Sequence, residues 1–358
     1  MVDGQKQQFM VKGWENGPSS KRDLKGPGKI KEDPILYRAF YMVYIFFFLV
    51  WELAAAFGSF LCRLILRPEP KSLRGRVCLV TGSGRGLGRE FCLALAREGA
   101  VIACADINEA NNKTTAEMVK ELGAKVVPYT VNIAVKKDVE NLVSRIEKDL
   151  GPIFLLINNA AIVVNTYGFQ EDFLRATFNT NVFGPTWLMN AVLPTMKLRN
   201  EGHIVNIASV ATMMVLPPMM VYGATKSAMT YLSNCLRAEL LMENHDNIVI
   251  TTVHPIFMNS SEDYLSYVSA KVTMCIEMEE VVRATMNAIH YNYDEVPVPS
   301  YIKYPLLLIT EMMPSRTGAK LLQLIINHII IPNADQFKQL PWYDLVKECS
   351  LMETQKEK

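Results

Sequence analysis

Three tyrosines in this chain stand four residues ahead of a lysine: Tyr222/Lys226, Tyr267/Lys271 and Tyr343/Lys347. On a helix that spacing puts both side chains on one face. The pairing matters because a free phenol, with a pKa of about 10, is too weakly acidic to act as a base at neutral pH. A neighbouring ammonium group stabilises the phenolate. The spacing alone does not choose among the three pairs. Only Tyr222 is preceded at 13 residues by a serine, Ser209; at the same offset Tyr267 finds His254 and Tyr343 finds Ile330. The chemistry open to Ser209, Tyr222 and Lys226 is proton transfer at a carbonyl or alcohol oxygen. Tyr222 would supply the proton to a developing alkoxide or remove it from a hydroxyl, and Ser209 would hold that oxygen in place. The other two pairs read as ordinary surface helix spacing.

Carbonyl reduction or alcohol oxidation by such a proton transfer also needs a hydride partner, and a second motif suggests one. Val77-Cys78-Leu79-Val80 runs into Thr81-Gly82-Ser83-Gly84-Arg85-Gly86-Leu87-Gly88, and a helical pattern follows. A glycine run by itself is often only a turn. Between a strand and a helix it is the setting of a dinucleotide site, because glycines let a pyrophosphate approach the backbone N–H groups at a helix N-terminus. The next apolar run ends at Asp106, 18 residues beyond Gly88. A carboxylate there accepts from the adenosine ribose hydroxyls and repels a 2′-phosphate, which favours NAD(H) over NADP(H). The alternative role for Asp106 is to cap the following helix. Arg85 pulls the other way, since a cation before Gly86 suits a 2′-phosphate; the carboxylate, placed where that phosphate would sit, is expected to dominate.

These residues require a frame. Val77–Val80, Val101–Ala105, Val126–Val131, Phe154–Ile157, Ile204–Ile207 and Ile248–Val253 read as buried strands, separated by amphipathic stretches such as Arg89–Glu98 and Asp138–Asp149. Alternating β and α on this scale predicts an α/β fold with a doubly wound parallel sheet, over about residues 70–300. Ahead of it, residues 1–34 are polar and rich in Lys, Gly and Pro, a composition that predicts disorder. Residues 35–67 are strongly apolar, with Ala39–Cys62 interrupted only by Glu52. That length suits a membrane anchor better than a helix packed on the domain, since about 20 apolar residues span a bilayer. Basic residues flank it on both sides, Lys21 to Lys31 before and Arg63 to Arg76 after. Positive charge on the C-terminal flank predicts a domain facing the cytosol. Two basic flanks also fit a hairpin or interfacial helix able to reach a lipid-droplet monolayer. Residues 301–358 read as an apolar C-terminal cap.

Composition excludes several classes. The formal charge is +1, which gives no support to a nucleic-acid partner. Seven cysteines are spread without a CxxC pair, which favours a reducing compartment, and five histidines show no metal-ligand spacing, so no metal is expected.

With these motifs in hand, the chain resembles the short-chain dehydrogenase/reductase family over roughly residues 75–290. The resemblance rests on Thr81–Gly88, on Asn158-Asn159-Ala160 at a strand end, and on Ser209, Tyr222 and Lys226. It implies a Rossmann-type fold, NAD as cofactor, and a fourth catalytic residue at Asn181 that holds a proton-relay water. It also implies cofactor contacts at Gly82, Ser83, Gly84, Arg85, Gly86, Leu87, Gly88, Asp106, Asn132, Asn159, Tyr222, Lys226 and Pro255, with Lys226 reaching the nicotinamide ribose, and a homodimer. Three positions depart from the family pattern. Ala161 replaces a glycine, Asn132 replaces an acidic residue, and Ile256 replaces the glycine after Pro255 beside the nicotinamide. Softer likenesses, among them the apolar N-terminal segment, Asp106-Ile107-Asn108, Pro255–Ser260 and Thr317-Gly318, point to retinol and 17-beta-hydroxysteroid dehydrogenases of endoplasmic reticulum and lipid droplets. They imply a lipophilic alcohol substrate. A reductase of fatty-acyl or sphingoid ketones shares that chemistry. A membrane scaffold that keeps the fold with little turnover is the competing class; Ile256 and Ala161 favour it, and the four catalytic-type residues oppose it.

Overall fold

The computed structural model describes residues 40–51, 53–54, 58, 69–163, 170–213, 219–258, 275–302, 317, 320 and 321. The polar stretch 1–34, the pairs Tyr267/Lys271 and Tyr343/Lys347, Ser260, and nearly all of the C-terminal cap lie outside these residues. By its contacts the chain divides into two units, residues 1–68 and 69–358.

The second unit is built on seven parallel strands. They are β1 (Val77–Thr81), β2 (Val101–Asp106), β3 (Val126–Thr130), β4 (Ile153–Asn158), β5 (Gly202–Ile207), β6 (Ile248–Pro255) and β7 (Glu295–Val298), in the spatial order β3-β2-β1-β4-β5-β6-β7. The helices between them are α1 (Gly86–Arg97), α2 (Glu109–Glu121), α3 (Lys136–Leu150), α4 (Glu171–Phe178), α5 (Gly184–Arg199), α6 (Met220–Met242) and α7 (Met278–Tyr291). Six of the strands are the apolar runs predicted. They read as continuous hydrophobic stretches because helices cover both faces of the sheet. In β1 the alternation is visible: Cys78 and Val80 pack with α1, α2 and α7 on one side, Val77 and Leu79 with α3, α5 and α6 on the other. Cys78, Cys92 and Cys104 are fully buried in the first of these layers, and burial pushes the Cys78 and Cys92 thiols up. β7 escapes sequence reading. It is four residues long with a proline inside, a composition tolerated because the strand lies at the sheet edge.

The chain order reverses between β1 and β4, the neighbours on either side of which run to opposite edges of the sheet. In open α/β sheets, ligands bind in the crevice beyond the carboxyl ends of the strands at such a switch point. The glycine turn leaves β1 there, Asn159 follows β4, Ser209 follows β5 and Pro255 ends β6.

In the first unit, residues 40–51 are helical. Nearly every large apolar side chain in that helix is exposed, among them Phe40, Tyr44, Phe47 and Trp51. Among the described residues no helix is long and apolar enough to cross a membrane; much of 52–68, the second half of the expected anchor, falls outside them.

Candidate active site

The glycine turn is held from three sides. Asp106 at the end of β2 accepts the Gly84 N–H on Oδ2 at 2.8 Å and the Asn108 N–H on Oδ1 at 2.8 Å. Arg89 donates to the Gly84 carbonyl, and its Nε to the Thr115 hydroxyl at 3.0 Å. Asn159 donates from Nδ2 to the carbonyls of Thr81 at 2.9 Å and Gly82 at 3.3 Å. Close approach restricts the glycines of this turn, as two of them show. A Cβ on Gly84 would stand 3.0 Å from the Asp106 carboxylate, and one on Gly88 would collide with the Gly82 carbonyl. Either would push the turn off the helix or off Asp106.

Ser83, read with the cofactor contacts, faces the other way. It is fully buried, donates its hydroxyl to Asn112 Oδ1 at 2.7 Å and its amide to the Ala105 carbonyl at 3.3 Å. Asn112 in turn donates to the carbonyls of Cys104 and Tyr129, both at 3.0 Å, so the turn is stitched to β2 and β3. Leu87 is buried as well, whereas Arg85 is exposed. Asn132 accepts the Ala134 N–H at 3.0 Å, a local turn that occupies its side-chain oxygen. The helix cap after β2 is Asn108, whose side chain accepts the Asn111 N–H. Asp106 is therefore not the cap.

The proton-transfer residues meet beyond β5. Tyr222 and Lys226 share one face of α6, and both are buried, at 9% and 4% exposure. The Ser209 hydroxyl lies close enough to the Tyr222 phenol to favour its ionised form. Ser209, in extended backbone at the end of β5, also accepts the Ala211 N–H on Oγ at 3.1 Å. Lys226 Nζ donates to the Ile207 carbonyl at 2.6 Å and lies 5.6 Å from the centre of the Tyr222 ring.

The electrostatics differ from the expectation that Lys226 lowers the phenol. Burial pushes Tyr222 up to about 12, opposed only by the nearby Ser209 hydroxyl, and burial brings Lys226 down to about 8. In a dry site removal of water disfavours both charged forms, and the ammonium is turned toward the Ile207 carbonyl. The free protein thus holds Tyr222 as a phenol, a proton donor.

Asn181 sits in a π-helical turn, Asn179–Phe183, between α4 and α5. Such turns often mark functional positions in helices. Its carboxamide accepts the Ile162 N–H at 2.8 Å and donates to the Ile162 carbonyl at 2.9 Å and the Thr225 hydroxyl at 3.2 Å. The side chain thereby ties the loop after β4 to the residue preceding Lys226. Sequence reasoning missed the frame residues Arg89, Asn112, Thr225 and His254. Thr225 alone carried a signal, its place between Tyr222 and Lys226.

Comparison with known proteins fits this arrangement. Residues 76–264 match the family model for short chain dehydrogenase. The chain belongs to this family. As a short chain dehydrogenase it is an oxidoreductase acting on CH–OH groups. Among its relatives, 17-beta-hydroxysteroid dehydrogenase 13 of Mus musculus is 29% identical over 265 residues, 74% of this chain and 86% of that protein. Estradiol 17-beta-dehydrogenase 11 of Rattus norvegicus is 30% identical over 260 residues, covering 72% and 86%. A crystal structure of a short chain dehydrogenase from Burkholderia phymatum in complex with NAD superposes with a TM-score of 0.62 at 23% identity, over 67% of this chain and 95% of that one. A 7 alpha-hydroxysteroid dehydrogenase complexed with NADH and 7-oxo glycochenodeoxycholic acid gives 0.59 at 20% identity, over 64% and 94%. At these identities the two structures speak to the fold.

Proposed function

We propose that this short chain dehydrogenase interconverts a lipophilic alcohol and its carbonyl with NAD(H), the substrate being a hydroxysteroid, retinoid or other lipid alcohol. The observation that carries the reading is the Ser209–Tyr222–Lys226 group, with Tyr222 and Lys226 buried, at the strand ends where the braced glycine turn also lies. The turn fits a dinucleotide: Arg85 at the start of α1 offers no side-chain acceptor to the helix N–H groups, and the first turn holds no acidic residue, so these donors suit a pyrophosphate. Asp106 fits the adenosine ribose, because a carboxylate that takes one N–H on each oxygen keeps a lone pair on each for a hydroxyl. The nicotinamide, when bound, takes up or supplies the hydride.

The protein does the rest. Tyr222 gives its proton to the substrate oxygen in reduction and takes one in oxidation. Ser209, near the phenol, orients that oxygen. Lys226 steadies the phenolate, and Asn181 holds the loop beside it. The 17-beta-hydroxysteroid dehydrogenase relatives support a steroid-like substrate. So do the apolar side chains near the Ser209 turn that keep part of their surface: Met213, Phe257 and Ile276. We further propose that the exposed apolar helix at 40–51, with the apolar sequence after it, attaches the enzyme to the endoplasmic reticulum or lipid-droplet surface, catalytic domain toward the cytosol.

Removing Asp106 tests the cofactor assignment. Asp106→Ala should cost about 10- to 100-fold in kcat/KM for NAD(H), the worth of hydrogen bonds to a charged group, and should narrow or reverse the preference over NADP(H). It also frees the Gly84 amide, so affinity for both cofactors should weaken. Steady-state kinetics with the two cofactors check this; a wild type that already prefers NADP(H) would defeat it.

The substrate class is tested by cofactor-dependent turnover of detergent-solubilised protein on retinoids, hydroxysteroids and long-chain alcohols, followed from pH 6 to 10. Because burial raises the Tyr222 pKa, reduction should run at neutral pH with the donor in place. Oxidation needs the base form and should gain in kcat/KM as pH rises. An oxidation rate that falls with rising pH would remove Tyr222 from the base role.

A further inference from the structure

The end of β6 departs from the family pattern at a residue the proton chemistry does not use. Ile256 stands where the family has glycine after Pro255. A branched side chain there can turn toward the cofactor or into the protein. It turns inward: Ile256 is 6% exposed and packs in a small apolar cluster with Val210 and Ile302. The three come from separate stretches. Val210 directly follows Ser209 in a 3-10 turn, Ile256 follows β6, and Ile302 closes the 3-10 turn Ser300–Ile302 after β7. The backbone fixes two of them, since the Ile256 N–H donates to the Val298 carbonyl at 2.9 Å and the Ile302 N–H to the Pro299 carbonyl at 3.1 Å.

His254 lies two residues earlier, hence on the same side of the extended chain. It is buried, with Nδ1 3.4 Å from both the Ser209 carbonyl and the Thr212 hydroxyl. The end of β6 therefore meets the serine turn twice, through a polar contact at its carbonyl and an apolar one at Val210. Glycine at 256 would leave the apolar contact empty, and the turn would keep its His254 contact and the bond from the Ala208 N–H to the Val253 carbonyl.

We infer that Ile256 is a positioning residue: packed with Val210 and Ile302, it holds the Ser209 turn in its place near Tyr222, and it couples the segment Ser300–Ile302 to the serine turn. The inference takes the dehydrogenase reading for its kinetic consequence, and its structural consequence stands apart from that reading.

Both are tested in the full-length protein. Ile256→Gly and Ile302→Ala should each increase deuterium uptake across residues 205–213. Each should lower kcat by about tenfold, within what a displaced catalytic group costs, while the dissociation constant for NAD(H) stays within about twofold. Ile256→Val, which keeps a branched side chain, should restore both readouts. If Ile256→Gly does not fold, Ile302→Ala and Ile256→Ala carry the test. Unchanged uptake and kcat, even with a lower Tm, would reduce Ile256 to a packing residue and overturn the inference. Tighter NAD(H) binding in Ile256→Gly would also overturn it, by placing the side chain against the cofactor. If no alcohol in the panel is turned over by wild type, the functional reading fails while the exchange measurement still decides the positioning role.

Discussion

Tyr222→Phe should reduce turnover by about 10²- to 10⁴-fold, the usual contribution of a positioned general acid or base. Affinity for NAD(H) should stay nearly unchanged. The substitution removes one oxygen. The ring keeps its place on α6, and the glycine turn, braced by Asp106, Arg89 and Asn159, is untouched. Ser209 keeps the bond it accepts from the Ala211 N–H. Ser209 alone cannot supply the proton, because a hydroxyl without a base beside it is a far weaker acid than a phenol. Single-turnover kinetics with cofactor binding by fluorescence titration separate the two effects. Equal turnover in mutant and wild type would end the mechanism proposed above. Weakened cofactor binding with the chemical step intact would move Tyr222 from proton donor to cofactor contact.

Deleting residues 1–67 should shift the protein from the membrane fraction to the soluble one. Each buried CH₂ contributes roughly 0.8 kcal/mol to membrane attachment. The helix at 40–51 exposes Phe40, Tyr41, Met42, Val43, Tyr44, Phe46, Phe47, Phe48, Leu49, Val50 and Trp51, surface that water does not favour. Carbonate extraction followed by blotting measures the partition. A deleted protein that still resists extraction would transfer the attachment to the C-terminal apolar stretch. In cells fed oleate, residues 1–75 fused to a fluorescent protein should label the endoplasmic reticulum and then lipid-droplet rims; a diffuse fusion would defeat the anchor. Protease protection of the first 34 residues would mark a spanning helix, since a hairpin or interfacial segment leaves them in the cytosol.

Legibility was high where the physics is local. Six strands showed as apolar runs because a sheet covered on both faces leaves no polar side to interrupt them. The glycine turn showed because strand, glycines and helix are contiguous in the chain. Tyr222 and Lys226 showed because a helix brings residues four apart together, and Ser209 singled out their pair from two others by spacing. Family membership followed from those same residues.

What the sequence did not carry depends on contacts between distant segments. That Ser83 turns inward to Asn112 is decided by β2, β3 and α2 meeting beneath the turn. That Asn181 locks Ile162 to Thr225 requires the π-helical turn to face the loop after β4. The phenol's raised pKa came from burial, which no neighbouring residue in sequence announces, while the Lys226 ammonium is turned to the Ile207 carbonyl. β7 was hidden because a short edge strand with a proline has no pattern of its own and forms only by pairing with β6. Ile256 is the clearest case. In sequence it was a bulky residue in a glycine's place, counted against activity; in the fold its side chain fills a gap between Val210 and Ile302, residues 46 positions away on either side. Residue type and spacing determined the chemistry available to this chain, and only the packing of remote segments decided which way each side chain faces.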